Sequence, residues 1–215
     1  MSSAAYRTAR EVVKPAEFWE TMDAWPLYAG TKNLARYFFL ADCLKRTQTV
    51  PGHLVECGIW KGATTCFIAK WLELYVPKSQ KMIHAFDNFE GMAEANYRGE
   101  HQTLLSFLSL NAVSHRVHIH VGDVAVGLPD VAESNPELRL SFALLDIGLY
   151  ETTKAGLDFV HPRLSQNGII VLDEWNHPKW PGETRAVTEF LEEYGHLYIQ
   201  EATPVEQPSL VLVRR

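Results

Sequence analysis

The sequence predicts a doubly wound α/β fold built on one mostly parallel sheet. From Pro51 onward, short apolar runs alternate with segments of helical periodicity, a spacing typical of strands joined by right-handed helical crossovers. The runs at 141–145 and 168–172 are almost continuously apolar, as expected of central strands covered on both faces. The chain has 215 residues, 47% of them hydrophobic, which is enough for one sizeable core without a second domain.

The first 50 residues lack this alternation, and they predict a helical N-terminal extension. Between 33 and 44, apolar residues recur at helical spacing, which indicates a helix that packs on the rest of the protein: Leu34, Tyr37, Phe38, Ala41 and Leu44. We therefore divide the chain into an extension at 1–50 and an α/β domain at 51–215. The aromatic residues of the extension favour a lid over a site or a contact between two copies of the chain in a homodimer.

From residue 51 the predicted elements follow in order. Helices are expected around Ile68–Val76 and near 102–112, 151–161 and 184–194, and the segment 128–136 is interpreted as an ordinary connection. Strands are expected at 53–57, 82–86, 117–121, 141–145, 168–172, 197–200 and 209–213. Only a proline-containing loop joins the last two strands, so we expect an antiparallel hairpin at one edge of a seven-stranded sheet.

Composition excludes several classes of partner. The formal net charge of −6 and the pI near 5.8 provide no basic surface, so nucleic acid is not an expected ligand. No apolar run has the length of a signal peptide or a membrane span. The three cysteines, Cys43, Cys57 and Cys66, do not form a disulfide framework and are typical of a reducing compartment. We expect a soluble cytoplasmic protein that acts on a small molecule.

Acidic residues follow the first three predicted strands, where ligands bind in folds of this class. Glu56, Gly58 and Gly62 lie at the first strand end, and the two glycines would allow the backbone to approach a ligand. Glu56 replaces the first glycine of a dinucleotide fingerprint, which favours a cationic ligand over a pyrophosphate and argues against a nicotinamide enzyme. Asp87 ends the second strand, where a carboxylate can accept both hydroxyls of a ribose, and Asp123 after the third is placed to bind an adenine amino group.

This pattern predicts a nucleoside site. For each acid taken alone, a solvated loop residue is an equally good interpretation, and the glycines could serve only a tight turn. The full set of residues assigned to this site is Glu56, Gly58, Gly62, Thr64, Asp87, Asn88, Asp123 and Val124.

A second acidic group follows the fourth and fifth strands. Asp146, Asp173 and Glu174 supply carboxylate oxygens around one point, a donor set that suits Mg²⁺ or Ca²⁺. Helix capping is the alternative role for Asp146, because a helix is predicted to start near Tyr150. A zinc site is not expected, since no histidine or cysteine pair has ligand spacing. The sequence also lacks the nucleophile elbow of hydrolases and the phosphate-binding loop of kinases.

Four segments in order resemble the macrocin O-methyltransferase family: 51–62, 85–91, 145–153, and 172–175 with 181–187. The resemblance covers about 31–195. It implies a class I methyltransferase (Rossmann-like) fold, S-adenosylmethionine as the methyl donor bound by 51–215, Mg²⁺ on Asp146, Asp173 and Glu174, and methylation of hydroxyls on sugars and related natural products.

Two positions depart from the family pattern. The family has Asp-x-Asp-x-Tyr where this chain has Asp146-Ile-Gly-Leu-Tyr150, so Gly148 replaces the proposed general base, and its Asp-Asp pair becomes Asp173-Glu174. We expect Asp146 to act in catalysis and His177, one short loop beyond Asp173, to take the proton. The missing base keeps open N- or C-methylation or a non-methylating reaction on the same fold. A catalytically silent binding or scaffold protein is a further alternative, although it has no reason to retain clustered charge.

Overall fold

The computed structural model describes residues 3–91 and 98–215. Strand order is β3-β2-β1-β4-β5-β7-β6 in one seven-stranded sheet, with β5–β7 and β6–β7 antiparallel and the other pairs parallel. The strands are β1 His53–Cys57, β2 Ile83–Asp87, β3 Val117–Val121, β4 Leu140–Leu145, β5 Leu164–Leu172, β6 Tyr198–Ala202 and β7 Leu210–Arg214. The doubly wound sheet and the C-terminal hairpin predicted from the sequence are confirmed.

The described helices are α1 Ser3–Val13, α2 Ala16–Asp23, α3 Thr31–Thr47, α4 Ala63–Tyr75, α5 His101–Leu110, α6 Val124–Ser134, α7 Tyr150–Val160 and α8 Pro181–Tyr194. No helix within the described ranges is long and apolar enough to cross a bilayer.

Two hydrophobic clusters cover the two faces of the sheet because side chains alternate along each strand. On β4, Phe142 and Leu144 pack with α3, α4 and α5, whereas Ala143 and Leu145 pack with α6, α7 and α8. The molecule is therefore a three-layer α/β/α sandwich. The C-terminal ends of the parallel strands β1 to β5 all lie along the same side of the sheet, which we call its C-terminal edge. The acidic residues lie there.

One interpretation of the sequence is wrong, and a second holds only in part. The segment 128–136 is not a plain connection, because α6 runs through it as far as Ser134 and contains Pro129. The core contacts of Leu128 and Val131 hold this helix on the sheet, and they override the helix-breaking tendency of the proline.

The predicted stripe of α3 includes some of the residues that contact the core. Leu44 is buried and Ala41 packs against the core as expected, whereas Phe38 is 68% exposed and the helix also buries Leu40, Cys43 and Thr47. Leu40, Cys43 and Leu44 belong to the cluster under α4 and β4, so α3 is part of the core that stabilises the sheet. The division of the chain at residue 50 stays a prediction.

Candidate active site

The loop after β1 is shaped by left-handed backbone at three of its five residues. Gly58, Trp60 and Gly62 have φ of 92°, 49° and 78°. A Cβ on Gly58 would overlap the carbonyl oxygen of Asp146, and one on Gly62 would overlap the side chain of Leu104. The glycines that suggested a ligand loop are thus required by close packing within the protein, and the loop they form lies at the N-terminus of α4.

Asp87 fixes this loop from the end of β2. Its Oδ2 accepts hydrogen bonds from the backbone N–H groups of Ile59 and Trp60, both at 2.7 Å, and its Oδ1 accepts one from Phe89 N–H at 2.6 Å. A carboxylate offers about four acceptor positions, so roughly one remains on Oδ1. Asp87 therefore combines a structural role with room for one further donor, such as a ribose hydroxyl.

Glu56 is buried beneath the same loop. Its Oε2 accepts a hydrogen bond of 2.6 Å from the hydroxyl of Thr65, and only 1% of the residue is exposed. Removal from water raises the pKa of Glu56 to about 8, and the nearby carboxylate of Asp146 adds to the shift. The side chain is therefore protonated at neutral pH and does not present a negative charge to a ligand.

The other residues predicted to bind a nucleoside have local roles as well. Asn88 Oδ1 accepts the backbone N–H groups of Glu90 and Gly91, and Asp123 caps α6 by accepting Ala125 N–H at 2.8 Å. The side chain of Val124 is buried in the core.

Thr64 lies at the start of α4 and forms a hydrogen bond with Tyr37 of α3. Backbone hydrogen bonds from Gly58 N–H to Phe86 O and from Gly122 N–H to Asp87 O place the loops after β1, β2 and β3 side by side.

The predicted metal residues meet at the ends of β4 and β5. Asp146 N–H donates to Cys57 O and Asp173 N–H donates to Leu145 O, so adjacent strands bring the two carboxylates together. One oxygen of each of Asp146, Asp173 and Glu174 lies within 4.8 Å of the others. We call these three residues the acidic cluster.

Arg36 is the residue of this site that the sequence interpretation missed. Its Nη2 donates to Asp146 Oδ2 at 2.9 Å and its Nη1 donates to Asp173 Oδ1. Arg36 precedes Leu40 by one helical turn, on the buried face of α3, and only 17% of its side chain is exposed. The sequence did contain a signal for Arg36, because this residue stands at helical spacing from Leu40, Cys43 and Leu44. The predicted stripe, however, was centred on a different face of the helix.

The acidic cluster has more carboxyl groups than Arg36 can pair with. Burial and the neighbouring acids raise the pKa of Asp146 to about 7 and that of Glu174 to about 8, despite Arg36. Burial likewise raises the pKa of Asp173.

A fourth carboxyl, Glu183 of α8, lies near the cluster. Its Oε1 accepts the backbone N–H of Glu174 at 2.8 Å, and its Oε2 has no hydrogen-bond partner within the described residues. Burial raises the pKa of Glu183 well above the usual range. The site therefore brings four carboxyl groups together in largely buried surroundings.

Gly148 has no room for the side chain that the family pattern places there. Its φ is 68°, and a Cβ would lie 2.6 Å from Glu174 Oε2 and 2.8 Å from the ring of Trp180. The longer arm of Glu174 fills the space beside Gly148, so the two departures from the family pattern adjoin each other in the structure.

His177 lies in the loop between β5 and α8, close enough to Asp173 to affect its titration. The backbone N–H of Lys179 donates to His177 Nδ1 at 3.3 Å, a long hydrogen bond. In a neutral imidazole, that contact uses the one unprotonated nitrogen. Proton uptake by His177 would require this bond to open.

Comparison with known proteins gives the family of the chain. The family model for macrocin O-methyltransferase (TylF) matches residues 4–197. The chain belongs to the macrocin O-methyltransferase family. Two curated relatives are the 8-demethyl-8-(2,3-dimethoxy-alpha-L-rhamnosyl)-tetracenomycin-C 4'-O-methyltransferase of Streptomyces olivaceus, 29% identical, and the demethyldecarbamoylnovobiocin O-methyltransferase of Streptomyces niveus, 25% identical. Each alignment covers 70% of this chain and 64% of the relative, so the chain spans slightly less than two thirds of their length.

Solved structures of methyltransferases share the fold of this family member. The calicheamicin methyltransferase CalS11 superposes with a TM-score of 0.80 at 22% identity, covering 99% of this chain and 91% of CalS11. The O-methyltransferase NovP gives a TM-score of 0.70 at 19% identity, covering 84% of this chain and 79% of NovP. These likenesses confirm the class I methyltransferase fold predicted from the sequence.

Proposed function

We propose that this protein is an S-adenosylmethionine-dependent methyltransferase that acts on a hydroxyl group of a small natural-product or sugar-like acceptor. The observation that carries the proposal is the position of the acidic cluster, which shares one sheet edge with the loops after β1, β2 and β3 in a chain of this family. Donor and acceptor would thus meet at that edge. The relatives are named as O-methyltransferases of natural products, which supports oxygen as the acceptor atom.

In the proposed reaction, a carbon–oxygen bond to the acceptor forms as the carbon–sulfur bond of the sulfonium breaks, and the hydroxyl proton is released. Asp87 would accept a ribose hydroxyl at Oδ1 while its other contacts hold the loop at Ile59 and Trp60. The buried, protonated Glu56 would support that loop through Thr65 without contacting the ligand. Binding that holds the two reactants in line supplies much of the acceleration in such a transfer.

The donor set of the acidic cluster fits a divalent cation. Asp146, Asp173 and Glu174 would hold Mg²⁺, whose contribution when bound is to lower the pKa of the acceptor hydroxyl. The approach of these three carboxyl groups to one another, and an oxygen of Glu183 that has no partner among the described residues, support this assignment.

His177 is the proposed proton acceptor, since residue 148 has no side chain. Rotation of the His177 imidazole away from Lys179 N–H would free Nδ1 to accept the proton. Replacement of His177 by Ala should lower turnover of an identified acceptor by roughly 10²-fold or more. An unchanged rate and pH profile would remove His177 from this role.

Ligand binding tests the cofactor directly. We expect S-adenosylhomocysteine to stabilise the protein by about 2.7 kcal/mol at a hundredfold excess over its dissociation constant, and NAD to have no effect. Replacement of Asp87 by Asn should greatly reduce the shift in melting temperature, whereas Asp158→Asn on the exposed side of α7 should retain it. Stabilisation by NAD alone, or an undiminished shift in Asp87→Asn, would contradict the assignment. Mass spectrometry for a gain of one methyl group then identifies the acceptor.

A further inference from the structure

Arg36 contacts two of the three carboxylates proposed to bind the cation. We propose that Arg36 is a built-in competitor of the divalent ion, which holds Asp146 and Asp173 in the cation-free protein and withdraws when the ion binds. This inference rests on the proposed cation site and adds a residue from α3 that controls its occupancy.

The contacts of Arg36 account for the competition. Its two terminal nitrogens each donate to a different carboxylate, so the guanidinium bridges Asp146 and Asp173 as a shared cation would. The side chain of Asp173 is 4% exposed and that of Asp146 is 32% exposed, so water screens the charges mainly on the side of Asp146. A guanidinium and a divalent ion a few ångströms apart in such surroundings repel each other strongly.

Arg36 contacts only part of the acidic cluster. Its guanidinium pairs with Asp146 and Asp173, whereas no salt bridge to Glu174 is found among the described residues, and the buried Glu183 has one oxygen without a partner there. A divalent ion carries two charges and can contact all three carboxyl groups of the cluster together, so it can replace the guanidinium once the ion is available.

Withdrawal of the side chain does not require α3 to move. Leu40, Cys43 and Leu44 anchor the helix in the core, whereas the guanidinium of Arg36 is connected to the backbone by a flexible aliphatic arm. The cation-free and cation-bound states can therefore differ mainly in the rotamer of Arg36.

The test is the affinity of the full-length, EDTA-treated protein for Mn²⁺, measured by calorimetry and by the electron paramagnetic resonance signal of the free ion. Arg36→Gln should bind Mn²⁺ at least about tenfold more tightly than the wild type, because a repelling charge is removed. Arg36→Lys keeps the charge and should stay close to the wild-type affinity. Arg46→Gln is the matched control, since Arg46 lies on the same helix and pairs with Glu201 at 2.8 Å, away from the cluster.

Further results test whether the ion binds at the acidic cluster. Asp173→Asn added to Arg36→Gln should abolish the tight binding, and tight binding that survives this change would overturn the proposal. Equal or weaker binding by Arg36→Gln would overturn it as well. If neither protein binds Mn²⁺, both the cation site and the competition are wrong, whereas the methyltransferase assignment is judged separately by S-adenosylhomocysteine.

If Arg36→Gln does not fold, a measurement on the wild type tests whether the Arg36 guanidinium withdraws when the ion binds. The side-chain N–H signals of Arg36, assigned in ¹⁵N nuclear magnetic resonance spectra by comparison with Arg36→Lys, should be protected from exchange without metal. Addition of diamagnetic Mg²⁺ should remove that protection. Persistent protection at saturating Mg²⁺, or failure of Mg²⁺ to perturb the cluster, would show that the guanidinium does not withdraw.

Discussion

Gly148 and Glu174 fit together because Gly148 has no side chain and Glu174 fills the space that one would need. A carboxylate on residue 148 would occupy the volume that Glu174 Oε2 and the ring of Trp180 occupy now. The backbone of Gly148 is also left-handed, which disfavours residues with a Cβ. The glycine at 148 and the glutamate at 174 are therefore complementary in shape, although they lie 26 positions apart in the printed sequence.

We expect Gly148→Ala and Gly148→Asp to destabilise the protein by about 1–3 kcal/mol, because the added atoms overfill a packed site. Gly195→Ala is the matched control, since the nearest atoms lie 3.7 Å from its Cβ position and its φ is −57°. That variant should not be destabilised, because alanine loses less backbone entropy than glycine at a helical φ. Urea unfolding measures all three. Full stability of Gly148→Asp would mean that Glu174 and Trp180 relax easily and that an aspartate could function there.

At the scale of elements, α3 connects the N-terminal region to the site. The helix packs Leu40, Cys43 and Leu44 into the core and presents Arg36 to the acidic cluster one turn earlier. Tyr37, the next residue, reaches Thr64 at the start of α4. The predicted role of 1–50 as a lid stays a prediction, but α3 itself is held by core contacts that a freely opening lid would have to break.

Leu40→Ala should therefore destabilise the whole domain by about 2–5 kcal/mol, the usual cost of deleting a fully buried leucine side chain. Phe38→Ala on the same helix should change the free energy of unfolding by less than about 0.5 kcal/mol, because that ring is 68% exposed. Urea unfolding followed by circular dichroism compares the two. Equal stabilities would indicate that α3 docks only weakly on the sheet.

At the scale of the whole molecule, buried titratable groups control how stability depends on pH. Burial raises the pKa of Glu56 and Glu174 to about 8 and that of Asp146 to about 7, all above their values in an unfolded chain. Between pH 6.5 and 8 the folded state thus binds more protons than the unfolded state, and stability falls as pH rises.

A separate group of histidines acts at lower pH. Burial first, and then the neighbouring imidazoles, lower the pKa of His84 to about 4, and burial also lowers the pKa of His53 and His120. The stability that these histidines contribute is present above pH 6.5 and is lost as pH falls toward 4. Because unfolded histidines are still about half protonated at pH 6.5, these groups oppose the acids near that pH, and their effect fades toward pH 8. Lys81, whose pKa burial lowers to about 8, opposes the acids near pH 8.

We predict that the metal-free protein is less stable at pH 8 than at pH 6.5. Glu56→Gln keeps an acceptor for Thr65 but removes one titrating group, so it should reduce the slope by up to about 1.4 kcal/mol per pH unit. Urea unfolding in EDTA at pH 6.5, 7.25 and 8 measures this slope. A stability that is constant or rises over this range would show that the buried acids are ionised in the folded protein.

The sequence alone determined the sheet and the location of the site. Runs of alternating or continuous hydrophobicity fixed the strands, and an acid directly after a parallel strand must lie at the shared C-terminal edge. For that reason Asp87, Asp146 and Asp173 could be assigned to one edge without coordinates. The glycine at position 148 and the glutamate at 174 were also visible as departures from a family pattern.

Only the tertiary structure decided which groups meet these acids. Arg36 lies 110 residues from Asp146 and 137 from Asp173, and their contact depends on the path of α3 across the sheet. The helical stripe predicted from apolar residues included Phe38, which is exposed in the structure. Spacing alone cannot tell which of two overlapping faces turns toward the core. Burial likewise determined that Glu56 is protonated, since the charge of a carboxyl depends on its surroundings in space and the sequence specifies only its chemical type.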